Sequence, residues 1–298
     1  MAAHLSRRAL TGAMAGLFLG GCAARGPRQA SAHPTPPPYL RSRGLGDEPN
    51  LDPASGDLPA PAAFSYTDSD DETSDCIFYA ADGAPVGLVV YLDGDGQFFH
   101  SQGGQSQDER SPGGLAGVGG VVEAAGVRGF DVVSVRSPGD DGMWWLENQD
   151  GKVRYLEETL DYVAAECGAN MDQLWLVGYS GGSEFISRRF FPAYAERMPG
   201  GGFINFGGGD APEERAAAFS GDAKERLSLN WVTGTRDVPS NSLDGFDGIG
   251  HARNSLAYYR SAGFGHTWSE WPDDDHGSIT EKFGRYVGYV LDATKVGG

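Results

Sequence analysis

Residues 174–185 read LWLVGYSGGSEF, an apolar run that ends in a serine set among glycines and leads into a segment of helical composition. Gly178-Tyr179-Ser180-Gly181-Gly182 matches the pattern G-x-S-x-G. In a chain with 46 glycines among 298 residues that match is weak by itself. The setting gives it weight, because QLWLV reads as a buried strand and SEFISRRFF as a helix. A serine on so sharp a strand-to-helix turn takes a strained backbone, and flanking glycines remove the Cβ atoms that would clash there. Ser180 then projects above the sheet edge, and the Gly181 N–H points to where an oxyanion can form.

Outward from this turn, short runs rich in Val, Ile, Trp and Phe recur. They are CIFYAA (76–81), GLVVYL (87–92), DVVSV (131–135), QLWLVGY (173–179), GFINF (202–206), LNWVTG (229–234) and TWSEW (267–271). Strands buried on both faces have this composition. Helix-like segments alternate with them at 113–126, 153–166, 181–198, 211–227, 251–262 and 279–293. In the second of these, Val153, Leu156, Leu160, Val163 and Ala164 fall on one face and Glu157, Glu158 and Asp161 on the other. The alternation predicts an α/β fold, a mainly parallel sheet with helices on both faces. The five residues Asp82 to Val86 between the first two runs are too few for a crossover, so these runs are expected to form an antiparallel N-terminal hairpin.

This order, together with the Ser180 turn, resembles that of α/β-hydrolases, and residues 75–294 look like the secreted esterase and polyhydroxybutyrate-depolymerase-like members, small lipoproteins included. The resemblance implies an acid and a histidine after the serine, in that order. A serine hydroxyl needs both, a base within hydrogen-bond reach and a carboxylate to orient it. GTRDVPS resembles the Gly-Thr-x-Asp segment that carries the acid and offers Asp237; Asp210, Asp244 and Asp247 are the rivals. WPDDDHGSI offers His276 between the last strand and the last helix, whereas His266 enters a strand and His251 starts a helix. The loop Tyr91-Leu92-Asp93-Gly94-Asp95-Gly96-Gln97 resembles the His-Gly-x-Gly loop of esterases with Asp93 in place of histidine. By position, the backbone N–H of Asp95 pairs with that of Gly181 as an oxyanion hole. Trp144 and Trp145, after the strand 131–135, lie on the ligand-binding side in this architecture and with Tyr179 are candidates for a substrate wall; the alternative for the tryptophans is that they cover the sheet edge.

The chain opens with MAAHLSRRALTGAMAGLFLGGCAARG, in which Arg7 and Arg8 precede an apolar stretch too short to span a bilayer. Leu19-Gly20-Gly21-Cys22 resembles the lipobox of bacterial lipoproteins, and Ser6 to Leu10 a twin-arginine signal. These motifs predict an export signal over 1–22, a lipidated Cys22, and a surface protein anchored to a membrane by that residue. Residues 23–64, with PRQASAHPTPPPYL and DLPAPAAF, read as a tether, and 65–298 as one catalytic domain.

Acidic residues outnumber basic ones 41 to 23, a net charge of −18, which opposes nucleic acid and anionic lipid as partners. Cys76 is expected near the catalytic end of the sheet and Cys167 near the opposite end. That places them on the order of 15–20 Å apart, beyond disulfide reach, so both are expected as free thiols. Asp93-Gly94-Asp95 and Asp273-Asp274-Asp275 lack the full spacing of a calcium loop and read as solvated acidic loops; neither metal nor cofactor is expected. The sequence thus predicts a monomeric serine hydrolase that cleaves a small or polymeric ester, neutral or cationic, through an acyl-enzyme. A peptidase or cell-envelope acyltransferase on the same residues is the alternative within enzymes, and a catalytically silent binding lipoprotein the alternative outside them.

Overall fold

The computed structural model describes residues 60–295 apart from 104, 106–109, 140, 213–217 and 243. The expected signal segment, Cys22 and nearly all of the expected tether lie outside the described residues. Eight strands form one sheet in the order β1-β2-β4-β3-β5-β6-β7-β8. They are β1 (Ala62–Thr67), β2 (Thr73–Tyr79), β3 (Gly87–Leu92), β4 (Phe130–Val135), β5 (Leu174–Tyr179), β6 (Gly201–Phe206), β7 (Ser228–Val232) and β8 (Thr267–Glu270). From β4 to β8 across the sheet all pairings are parallel, whereas β1 with β2 and β2 with β4 are antiparallel.

The α/β class and the antiparallel N-terminal hairpin are therefore present, but the hairpin is made by β1 and β2 across residues 68–72. The expected pairing of 76–81 with 87–92 does not occur, because β4 lies between them, paired Cys76 to Val135 with β2 and Leu92 to Val135 with β3. Residues 80–86 need to span only two strand spacings, roughly 10 Å, which seven residues do easily. Burial on both sides explains the unbroken apolar strands. On β3, Leu88, Val90 and Leu92 face one core while Val89 and Tyr91 face the other.

The first core is covered by α3 (Gln149–Glu166), by α4 (Gly181–Phe185) with α5 (Phe191–Tyr194), and by α6 (Gly221–Arg226) and α7 (Gly248–Ser261). The second is covered by α1 (Phe98–Gln102), α2 (Val121–Gly126) and α8 (Phe283–Lys295). The expected helix at 113–126 forms only over 121–126, since Gly113, Gly114 and Gly119 hold φ of +70°, +54° and +73°. The helix after Ser180 is interrupted by a π turn at Ile186–Phe190 directly before Pro192, a residue that cannot supply the N–H an α-helix requires.

Cys76 is buried and free, so it does not pair with Cys167. The expectation of two free thiols fails at Cys167, which is disulfide-bonded; the distance argument addressed only its pairing with Cys76. Among the described residues no helix is long and apolar enough to cross a membrane.

Candidate active site

Ser180 directly follows β5 and caps α4 with φ 50° and ψ −118°, a conformation few non-glycine residues adopt. The glycines around it are there for space. A Cβ at Gly178 would lie 2.7 Å from the Ser183 nitrogen, and one at Gly182 would lie 2.2 Å from the Leu92 carbonyl oxygen. The turn is pinned by the Ser180 N–H donating to Phe206 O at 2.9 Å and the Glu184 N–H donating to Ser180 O at 3.0 Å.

The hydroxyl of Ser180 lies 2.9 Å from His276 Nε2, and His276 Nδ1 lies 2.8 Å from Asp237 Oδ2. A carboxylate only accepts, so Nδ1 carries the proton and Nε2 is left to accept from Ser180 Oγ. The Asp237 side chain is 1% exposed and the His276 side chain 34%, so the acid is shielded while the base opens to solvent. Asp237 is fixed by its N–H to Gly234 O and by its carbonyl, which accepts from the Ile249 N–H in the first turn of α7. A Cβ at Gly248 would lie 2.3 Å from Asp237 Oδ2, so only glycine fits beside the carboxylate.

The acidic run 273–275 holds the histidine loop in place. Asp273 pairs with Arg236 Nε at 3.1 Å and Asp274 with Lys282 Nζ at 2.6 Å, and Asp275 accepts from the Ser278 N–H at 2.9 Å. Backbone bonds from Thr235 to Pro272 and from Arg236 to Asp274 join this loop to the one that carries Asp237. Asp274 is buried, which corrects the solvated-loop reading at that residue, while Asp273 and Asp275 keep it.

Tyr179 stacks on the His276 ring at 5.1 Å and donates its hydroxyl to His276 O at 3.0 Å. It therefore packs against the histidine by both its ring and its hydroxyl. Phe246, which sequence reasoning missed, meets the same imidazole edge-on at 5.4 Å. Gly207, with φ +59°, leaves room for it: a Cβ there would be 3.2 Å from two ring atoms. Trp144 is fully buried and stacked on Phe185 at 5.0 Å, so of the two expected roles it takes the covering one. Trp145 stays at the mouth and donates Nε1 to both carboxylate oxygens of Asp95, at 3.0 and 3.1 Å.

The loop after β3 lies beside Ser180; a Cβ at Gly94 would be 3.2 Å from Ser180 Cβ. Asp93, standing where the related loops have histidine, is buried and built into the loop. Its carboxylate accepts from the N–H groups of Gly94 and His100 and from the Tyr91 hydroxyl, at 2.8, 2.9 and 3.0 Å. Burial raises its carboxyl, and these donors, with the Phe99 N–H, offset only part of that rise. Gln97 Nε2 donates to Gly94 O and Gly142 O at 3.1 Å each, tying this loop to the segment that carries Trp145. Asp95 and Gly181 adjoin across the two loops, since a Cβ at Gly181 would lie 2.2 Å from Asp95 Oδ1. Among the described residues, no group of three or more His, Cys, Asp or Glu is arranged to hold a metal ion.

No family model matches the sequence, and no curated protein matches it by sequence. Solved structures do match it. Esterase Est22 aligns over 80% of this chain and 80% of its own with 12% identity and a TM-score of 0.51. A carboxylesterase from Bacillus cereus aligns over 73% of this chain and 94% of its own with 14% identity and a TM-score of 0.51. The AtxE2 isopeptidase matches 80% of this chain at 12% identity and a TM-score of 0.51, and the chain spans only 40% of its length. Identities this low speak to the fold alone, and with the strand order and the Ser180 turn they make it plain that the chain has the α/β-hydrolase fold.

Proposed function

We propose that this protein is a serine hydrolase that cleaves carboxylic esters. The observation that carries the reading is the unbroken relay from Ser180 Oγ to His276 Nε2 and from His276 Nδ1 to Asp237 Oδ2, at 2.9 and 2.8 Å. His276 Nε2 takes the hydroxyl proton as Ser180 Oγ bonds to the ester carbonyl carbon. The carbonyl electron pair moves onto oxygen, where the backbone N–H groups of Asp95 and Gly181 receive it. Collapse breaks the carbon–oxygen bond to the alcohol, which leaves with the proton from His276. Water then repeats the sequence on the acyl-enzyme, releasing the acid and restoring Ser180. Asp237 keeps the imidazole in the working tautomer and stabilises the imidazolium.

Amide cleavage on the same groups is the second reading, favoured by the likeness in fold to an isopeptidase. A fluorophosphonate probe on residues 60–298, beside Ser180→Ala and His276→Ala, tests the nucleophile, and matched p-nitrophenyl esters and p-nitroanilides separate the two readings. Labelling confined to the wild type, with turnover of the esters, is expected. A folded wild type that does not label refutes the reading and favours a binding role for the cleft.

The same proposal places the catalytic body on a membrane surface through a lipid on Cys22 and a tether, supported by the lipobox-like Leu19-Gly20-Gly21-Cys22; the tether expected over 23–64 ends before Ala62, where β1 joins the sheet. Incorporation of a labelled fatty acid that Cys22→Ser abolishes is the expected result. A lipid on the Cys22 sulfur excludes a disulfide between Cys22 and Cys167, so a peptide map of the exported protein under non-reducing conditions that finds that bridge refutes the anchor.

A further inference from the structure

Asp95 brings more to the site than a backbone N–H. Its carboxylate, gripped by the Trp145 indole, lies so near Gly181 that a Cβ there would be 2.2 Å from Oδ1. Gly181 follows Ser180 and carries the second oxyanion N–H, so a negative charge borders the space where the substrate's carbonyl oxygen becomes negative. No Lys or Arg among the described residues forms an ion pair with Asp95. Although the residue as a whole is exposed, its carboxylate is partly covered, and this burial raises its carboxyl. The indole bond and His276 lower it, and the like charges of Asp244 and Asp141 raise it. Asp141 has its own cation, Lys152, at 3.1 Å. Asp244 is exposed, accepts from Ser242 and from the Phe246 N–H, and also acts on His276.

For a neutral ester this arrangement is adverse. The oxyanion exists only in the transition state, so Asp95 opposes the very charge that the two N–H groups gather. An ammonium on the carbon next to the carbonyl reverses the balance. It lies two bonds from the reacting carbon, pairs with the Asp95 carboxylate, and turns a repulsion into a charge-assisted hydrogen bond. We infer that Asp95 selects substrates with a cationic group next to the scissile carbonyl, α-aminoacyl esters being the simplest class. The inference rests on the serine-hydrolase reading above and leaves its chemistry unchanged: the aminoacyl group passes from the alcohol oxygen to Ser180 Oγ and then to water. Trp145 is the positioning residue that holds the carboxylate over Gly181, and Asp244 adds to the field from across the mouth.

The test compares alanine p-nitrophenyl ester with p-nitrophenyl propionate, each kcat/KM divided by the hydroxide-catalysed rate of the same ester. Wild type, Asp95→Asn and Asp244→Asn are measured, with fluorophosphonate labelling of all three. Asparagine keeps one acceptor oxygen for Trp145 and the backbone N–H, and replaces the charged carboxylate with a neutral amide. Wild type is expected to favour the alanyl ester about three- to fivefold, the upper range for one partly exposed charge pair. Asp95→Asn lowers that ratio to near one, chiefly by faster turnover of the propionate, and Asp244→Asn lowers it by a smaller factor. Equal ratios in wild type and Asp95→Asn, with both proteins labelled, overturn the inference and leave the nucleophile standing. A wild-type ratio of one or below overturns it without any variant. Absence of labelling in folded wild type removes the nucleophile and this inference together.

Discussion

As the pH falls below about 6.5, the unfolded chain takes up a proton at His100 that the folded chain refuses. The imidazole, 5% exposed on α1 just behind the Asp95 loop, has Nδ1 2.8 Å from Ser134 Oγ. Burial lowers it from 6.5 to about 4; the positive charge of Arg136 adds to this and Asp75 opposes it. A base with a depressed native pKa costs nothing above the unfolded value. Its penalty grows as pH drops toward the native value, because in that window the unfolded state binds more protons. At 1.36 kcal/mol per pKa unit the full penalty is roughly 3 kcal/mol, a large part of a domain's total stability. The perturbation is His100→Asn, which keeps a polar atom near the position of Nδ1 and does not titrate. Urea unfolding at a series of pH values from about 7.5 to about 4.5 gives the stability of both proteins. Asp93 has the opposite sign, since its raised carboxyl favours the folded state on acidification. It receives the backbone N–H of residue 100 in both proteins, so it cancels in the difference. Wild-type stability relative to the variant should be level above neutral pH and fall by roughly 2–3 kcal/mol by the acid end of the series. Difference profiles that stay flat over that range would show that the imidazole protonates as readily in the folded protein as in the unfolded one.

Gly182→Ala places a Cβ 2.2 Å from the Leu92 carbonyl oxygen and 2.7 Å from that of Asp93, so backbone must move; a loss of roughly 3 kcal/mol or more is expected in urea unfolding. Gly126→Ala, at a helical position with nothing within 4 Å of the new atom, is the control and should be neutral or slightly stabilising. Asp237→Asn puts an N–H donor against His276 Nδ1, which forces the proton onto Nε2 and blocks acceptance from Ser180. By analogy with serine proteases, ester turnover should fall by about 10⁴-fold in kcat with unchanged unfolding stability. A variant that retains more than about a tenth of wild-type kcat would remove Asp237 from the proposed role.

How far the sequence alone reaches is set by the range of the forces involved. The alternation of buried strands with amphipathic helices is written within a dozen residues at a time, and so is the turn at Ser180, where glycines remove local clashes. Both were therefore legible, and the loops after the last two strands offered Asp237 and His276 as candidates. The partner of β2 was not. Residues 76–81 carry the same apolar pattern whether they pair with β3 or β4, and only the assembled sheet selects β4. The place of each aromatic at the site was equally hidden. Trp144 and Trp145 are neighbours of one type, yet the first packs on Phe185 in the core and the second reaches Asp95 at the mouth. Tyr179 is bound to a histidine 97 residues away. The acidic run 273–275 finds Arg236 only once the loops after β7 and β8 lie side by side. Sequence by itself determined the strand–turn–helix geometry that exposes Ser180, because sterics between adjacent residues dictate it. Tertiary structure alone decided what surrounds that serine, because those neighbours come from distant segments whose order in the sheet no local pattern encodes.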